Sequence, residues 1–105
     1  MSLTSAANDT KWEELRLAMY ELSNSPRFSC EDLLGYRSPP EREWFYHFRD
    51  GGYRTMRFVD IITDSEEQRV KVLSELKRIG LAGHPIDAGF RVYGYAESGQ
   101  ALSYF

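Results

Sequence analysis

Glu43-Trp44-Phe45-Tyr46-His47-Phe48-Arg49-Asp50-Gly51-Gly52-Tyr53 sets five aromatic side chains within eleven residues and closes on Gly51-Gly52-Tyr53. Aromatic residues suit a half-buried pleated surface, and Asp-Gly-Gly supplies what a tight hairpin turn needs. The stretch therefore reads as a strand, a glycine turn and the start of a second strand. With a three-residue loop at Asp50-Gly51-Gly52, Arg49 lies opposite Tyr53. Trp44, Tyr46 and Phe48 then share one face with Phe58, Met56 and Arg54. Glu43, Phe45, His47 and Arg49 share the other with Val59, Arg57, Thr55 and Tyr53. A slip of one residue exchanges the faces, and a two-residue loop mixes aromatic and charged partners on both. The segregated register makes the first set core and the second an open surface.

Downstream, Asp60 falls on the expected core face between Phe58 and Ile62. A buried carboxylate needs a cation or backbone donors, and Arg54, Arg91 or a strand end would supply them. Thr63-Asp64-Ser65-Glu66-Glu67 starts a helix, with capping side chains and acids at the positive end of its dipole. Val70, Leu73, Leu76 and Ile79, with Val72 beside them, form its buried stripe, and Gly80 ends it. Leu81 to Gly89 reads as a loop containing His84-Pro85. Phe90 to Tyr95 alternates as a strand, with Arg91, Tyr93 and Tyr95 on one side, and Leu102 to Phe105 makes a last short strand.

Upstream, Thr10 to Ser23 reads as a helix. Thr10-Lys11-Trp12-Glu13 fits a capping box, and Trp12, Leu15, Met19 and Leu22 repeat at helical spacing. Ser23-Asn24-Ser25-Pro26 stops it. A short strand follows at Arg27 to Cys30, then a loop at Ser38-Pro39-Pro40. Residues 1–9, small and polar, are expected to be a disordered tail, and residues 10–105 one domain. The fold class is α+β in the order α-β-β-β-α-β-β. The expectation is a mixed, mostly antiparallel sheet of four to five strands with both helices on one face.

The chain has 105 residues, a usual size for one core. A net charge of −3 disfavours nucleic-acid binding by bulk charge, though it leaves room for a local basic patch. The lone Cys30 excludes an internal disulfide and reads as a small buried residue rather than a reactive thiol. No apolar run approaches the roughly 18 residues of a membrane span, and no signal pattern opens the chain. The expected setting is the cytoplasm, away from membranes. His47 and His84 lie far apart with no metal-ligand spacing, and the glycines fit no phosphate-binding loop. Neither a metal nor a cofactor is expected.

Thr10-Lys11-Trp12 at a helix start, Glu43-Trp44-Phe45-Tyr46-His47-Phe48, Gly51-Gly52-Tyr53 and Arg91-Val92-Tyr93-Gly94-Tyr95 together resemble a family of small bacterial proteins of unknown function. That family pairs a Trp-Tyr-Tyr-His-Phe-like strand with a Gly-Gly-Tyr turn and a late Val-Tyr-Gly-Tyr strand. The resemblance runs from Lys11 to the C-terminus and implies a bacterial source but no chemistry. Its size and style are similar to immunity and accessory proteins.

The residues singled out for binding are Phe45, His47, Arg49, Tyr53, Arg57, Arg91, Tyr93 and Tyr95, all assigned to the open sheet face. Tyrosine and arginine are enriched at protein interfaces, and a solvated sheet face of ordinary aromatic content is the plain alternative. The expected function is a non-enzymatic interaction module, immunity-like or accessory, binding a protein partner or its own copy. Glu13, Glu14, Glu21, Glu31 and Asp32 would form its acidic surface. No catalytic residue is assigned. A second reading is a ligand binder or enzyme centred on His47 with Glu43, Arg57 and Tyr93, although no nucleophile accompanies them. A third, single-stranded RNA binding through stacked tyrosines, is disfavoured by the acidic balance.

Overall fold

A computed structural model describes residues 3–105. Along the chain these form β1 (Leu3–Ser5), α1 (Asp9–Glu21), β2 (Arg27–Asp32), β3 (Met56–Ile62), α2 (Glu66–Ile79), β4 (Gly83–Ile86), β5 (Gly89–Tyr93) and β6 (Tyr95–Glu97). The class is α+β, as the periodicities imply. Four strands pair in the order β2-β3-β5-β4, and β1 with β6 makes a separate ribbon. Every one of these pairings is antiparallel.

Both helices lie on one face of the four-stranded sheet. Leu15 and Met19 of α1 and Val72 and Leu76 of α2 are buried with Val59, Ile61, Phe90 and Val92 of β3 and β5. The two central strands alternate, so their other face carries Phe58, Asp60, Arg91 and Tyr93. Neither helix covers that second face among the described residues. Among the described residues, no helix is long and apolar enough to cross a membrane.

The helix ends follow their chemistry. Asn8, rather than Thr10, caps α1, its side chain accepting from the Lys11 amide at 2.9 Å. Ser65 caps α2, and Gly80 closes it in the left-handed conformation with φ 80°. Gln68, a polar residue on α2, is buried. It accepts from the Asp64 amide at 2.7 Å and donates to the Asn24 carbonyl at 2.8 Å, tying the turn after α1 to the start of α2. On α2, Val70 is exposed, while Val72, Leu76 and Ile79 make the buried stripe.

The aromatic stretch is not a hairpin strand. Residues 44–51 form successive turns, and regular pairing resumes only at Met56. Local turn bonds replace a ladder: the Asp50 amide donates to the His47 carbonyl and the Gly52 amide to the Arg49 carbonyl. Side chains reach in from outside as well. The Trp44 indole N–H donates to the Pro26 carbonyl at 2.8 Å, and Arg16 donates to the Phe45 carbonyl at 2.6 Å. Gly51 and Gly52 both hold positive φ, 79° and 80°, which bends the chain back without a partner strand.

Burial consequently repeats every four residues rather than every two. Trp44 and Phe48 are buried, whereas Tyr46 is exposed and not core as its strand position implied. Their rings form a packed series from β2 to α1: Phe28 to Trp44 at 4.4 Å, Trp44 to Phe48 at 4.7 Å, Phe48 to Tyr53 at 5.8 Å, Tyr53 to Trp12 at 6.1 Å.

Three peripheral expectations also change. Leu3–Ser5, within the expected tail, pairs with β6 through Leu3↔Glu97 and Ser5↔Tyr95. The His84-Pro85 segment, read as loop, is edge strand β4, where proline is tolerated. Of the last expected strand, Tyr104 makes one bridge to Ala82.

Candidate functional site

Asp60 organises the open face. It lies on that face rather than the core face, because Val59 and Ile61 on either side point toward the helices. Its side chain is only 6% exposed. Arg91, directly across on β5, donates to both carboxylate oxygens, Nε at 2.8 Å and Nη2 at 3.0 Å. Arg37 reaches over from the loop after β2 and adds Nη1 at 3.2 Å, while its Nε stands 3.6 Å from Glu31. The sequence-level demand for a cation is thus met by Arg91, as expected, and by Arg37, which was not foreseen. Nothing local in the sequence marks Arg37, since its partner is 23 positions away.

The same two guanidinium groups bracket the Phe58 ring, Arg91 at 4.0 Å and Arg37 at 5.2 Å from its centre. Phe58 is the floor of this face rather than part of the helix-side core. The Asp60 carboxylate raises the Arg91 pKa by hydrogen bonding, against the smaller opposing effect of burial, so this guanidinium is always charged.

Arg57 arrives by a different route. Glu31 pairs with Phe58 and Asp32 with Met56, so Arg57 is an extra residue opposite no partner on β2. Such a bulge re-aims the side chain it carries. Without it, alternation would send Arg57 toward the core side. It lines the open-face groove instead, half-buried, with no ion pair among the described residues.

The groove has a volume of about 530 Å³. Arg37, Arg57, Arg91, Tyr93 and Tyr95 line it together with Phe58. Tyr95 is held by its hydroxyl, which donates to the Arg54 carbonyl. The Tyr93 hydroxyl stands 3.4 Å from His84 Nδ1. Glu31, Glu97, Gln100 and Leu3 complete the rim.

Four of the eight residues assigned to an open face therefore meet in one groove: Arg57, Arg91, Tyr93 and Tyr95. The other four lie elsewhere because the segment that carries them is a turn and not a strand. Phe45 is half-buried under the Arg16 guanidinium, 4.9 Å from its ring centre, and packs on Tyr20 at 5.0 Å. Arg49 is exposed in the turn. Tyr53 is buried against Trp12, its hydroxyl without a hydrogen-bond partner among the described residues. Burial first, and then the nearby Glu13 charge, push the Tyr53 pKa up to about 12.

His47 lines a second groove of about 310 Å³ with Cys30 and Asp50. Its Nδ1 lies 2.6 Å from Glu41, not beside Glu43, which instead accepts from the Tyr46 amide. The Glu41 hydrogen bond, reinforced by its charge, raises the His47 pKa above the ordinary 6.5. Cys30 is half-buried, and burial pushes its thiol up to about 12, far from the thiolate a nucleophile requires. The two grooves share only Glu31 and Arg37, so His47 does not line the groove that holds Arg57 and Tyr93. Among the described residues, no group of three or more His, Cys, Asp or Glu could hold a metal ion. The expected acidic surface is also divided, with Glu13, Glu14 and Glu21 on α1 and Glu31 and Asp32 at the end of β2.

Residues 1–99 match the model of a protein family described as a family of unknown function, DUF6678. No curated protein and no solved structure matches the chain.

Proposed function

We propose, for a chain that belongs to the family of unknown function DUF6678, that it is a non-enzymatic interaction module whose uncovered sheet face seats a protein partner. One observation carries the reading. Both helices pack on the same side of the sheet, and the bare side bears three arginines and two tyrosines around one groove. Arginine and tyrosine give large contact area for a modest loss of side-chain freedom, which is why they recur at binding hot spots. Here much of that loss has already been incurred. Asp60 holds Arg91 and Arg37, and the Arg54 carbonyl holds Tyr95, so less ordering accompanies binding. The role fits an accessory or immunity-like protein of the bacterial cytoplasm, one that acts by occupying another protein's surface.

The reading is tested with a photoreactive amino acid in place of Tyr93, in cells that carry the gene. The control is the same substitution at Val70, exposed on the far side of α2. A discrete adduct from position 93 that is missing from position 70 supports the interface. Equal labelling at both positions, or none at position 93, refutes it.

A further inference from the structure

We infer that the open-face groove receives a carboxylate from an acidic segment of the partner, and that Arg57 is the residue meeting it. The inference rests on the reading of this face as a protein-binding surface and names the chemistry the face selects.

The charges within the groove decide the ligand class. Asp60 is shared by Arg91 and Arg37, and Glu31 stands beside Arg37. Those four groups account for one another. Two charges in the groove have no ion pair among the described residues: Glu97, exposed at the rim, and Arg57, which is half-buried and so the one that loses water. Arg57 is always charged. Removing a guanidinium from water without a partner is unfavourable, and an incoming anion relieves that penalty. The bulge at Arg57 points the same way, because it takes this side chain off the core side and onto the groove.

Donors beside it are already fixed. Arg91 uses Nε and Nη2 on Asp60, and Arg37 uses Nε and Nη1 on its acids. That leaves Nη1 of Arg91 and Nη2 of Arg37 without an acid partner, on guanidinium planes their carboxylates hold still. A planar carboxylate matches the arginine fork. A polyanion does not suit the site, since Glu31 and Glu97 line the groove, Asp60 lies buried behind its arginines, and these acids would face every further negative charge. The balance favours one monoanion over a phosphodiester chain. Tyr93, packed edge-on against Phe58 at 6.5 Å, and Tyr95 offer ring surface to the residues flanking that carboxylate.

The test follows the Arg57 side-chain Nε–H resonance by NMR during titration with a capped Trp-Glu-Ala tripeptide. A capped Trp-Gln-Ala tripeptide, inorganic phosphate and an eight-residue oligouridine are titrated in parallel. Saturable shifts at Arg57 and Tyr93 with the Glu peptide, at least tenfold weaker with the Gln peptide, support the inference. Arg57→Gln should lose tenfold or more in affinity for the Glu peptide while keeping the native spectrum, and Arg57→Lys should recover part of it. Equal response to both peptides, no response at Arg57, or tighter binding of phosphate or oligouridine overturns it. The two readings fail differently. If the photoreactive Tyr93 variant captures its partner equally well when Arg57 is Gln, the carboxylate is wrong and the interface stands. If position 93 captures nothing, both fall.

Discussion

Asp60 shows how one residue couples stability to surface chemistry. It is the acid that two arginines share, and both arginines shield Phe58 from water. Asp60→Ala strands two cations and uncovers an aromatic ring. Losing one partner of a fully buried pair costs about 3–5 kcal/mol. Because Arg91 and Arg37 are 28% and 44% exposed, the loss here should be about 2 kcal/mol, measured as a lowered urea midpoint. His47 yields a pH prediction. Its folded pKa is raised by Glu41, so protonated His47 favours the folded state. That contribution is complete below the ordinary value of 6.5 and fades as pH climbs through the folded pKa. An NMR titration should find the His47 midpoint above 6.5, and Glu41→Gln should bring it down. An unshifted midpoint would mean that the contact does not persist in solution.

At the scale of elements, the helices were readable because their information is local. Apolar spacing and caps are written within a dozen residues, so α1 and α2 lie within about two residues of their expected bounds. The aromatic stretch was not, because β-propensity measures fit to a half-buried surface rather than strand pairing. Trp44 and Phe48, four apart, carried the contrary signal of a turn-like period. What settles it lies far off: the Pro26 carbonyl accepts from the Trp44 indole, and Arg16 donates to the Phe45 carbonyl. Four of the eight residues assigned to the open face lie elsewhere because that strand is a turn. Arg57 on β3, Arg91 and Tyr93 on β5 and Tyr95 at the start of β6 do share that face, since the last three alternate on a real strand and its continuation. Arg37 and the Arg57 bulge depend on pairing register, which no single segment encodes. The turn also separates neighbours energetically. Trp44→Ala should destabilise by about 3–5 kcal/mol, whereas Tyr46→Ala, at an exposed position, should stay within about 0.5 kcal/mol. Thermal melts of the two variants compare them directly, and similar losses would restore the strand.

For the whole molecule, the central fact is division of labour between two faces. One side of the sheet is sealed by α1, α2 and the aromatic turn, and the other is left to arginines and tyrosines. Double replacement of Arg57 and Tyr93 by alanine should therefore leave the melting temperature within a few degrees of the parent while abolishing partner capture. A variant that unfolds would show that the bare face is structural after all. The aromatic turn carries a different consequence. Its rings sit deep, yet its amides are tied mainly by local turns and not by a ladder. It is a plug, seated by side chains and turned back at Gly51-Gly52, beside a sheet stitched through its backbone. Opening it breaks few main-chain bonds, so it can leave as one unit while β3 and β5 stay paired. Deuterium should enter residues 44–52 well before the central strands, with all the amides of the plug exchanging together.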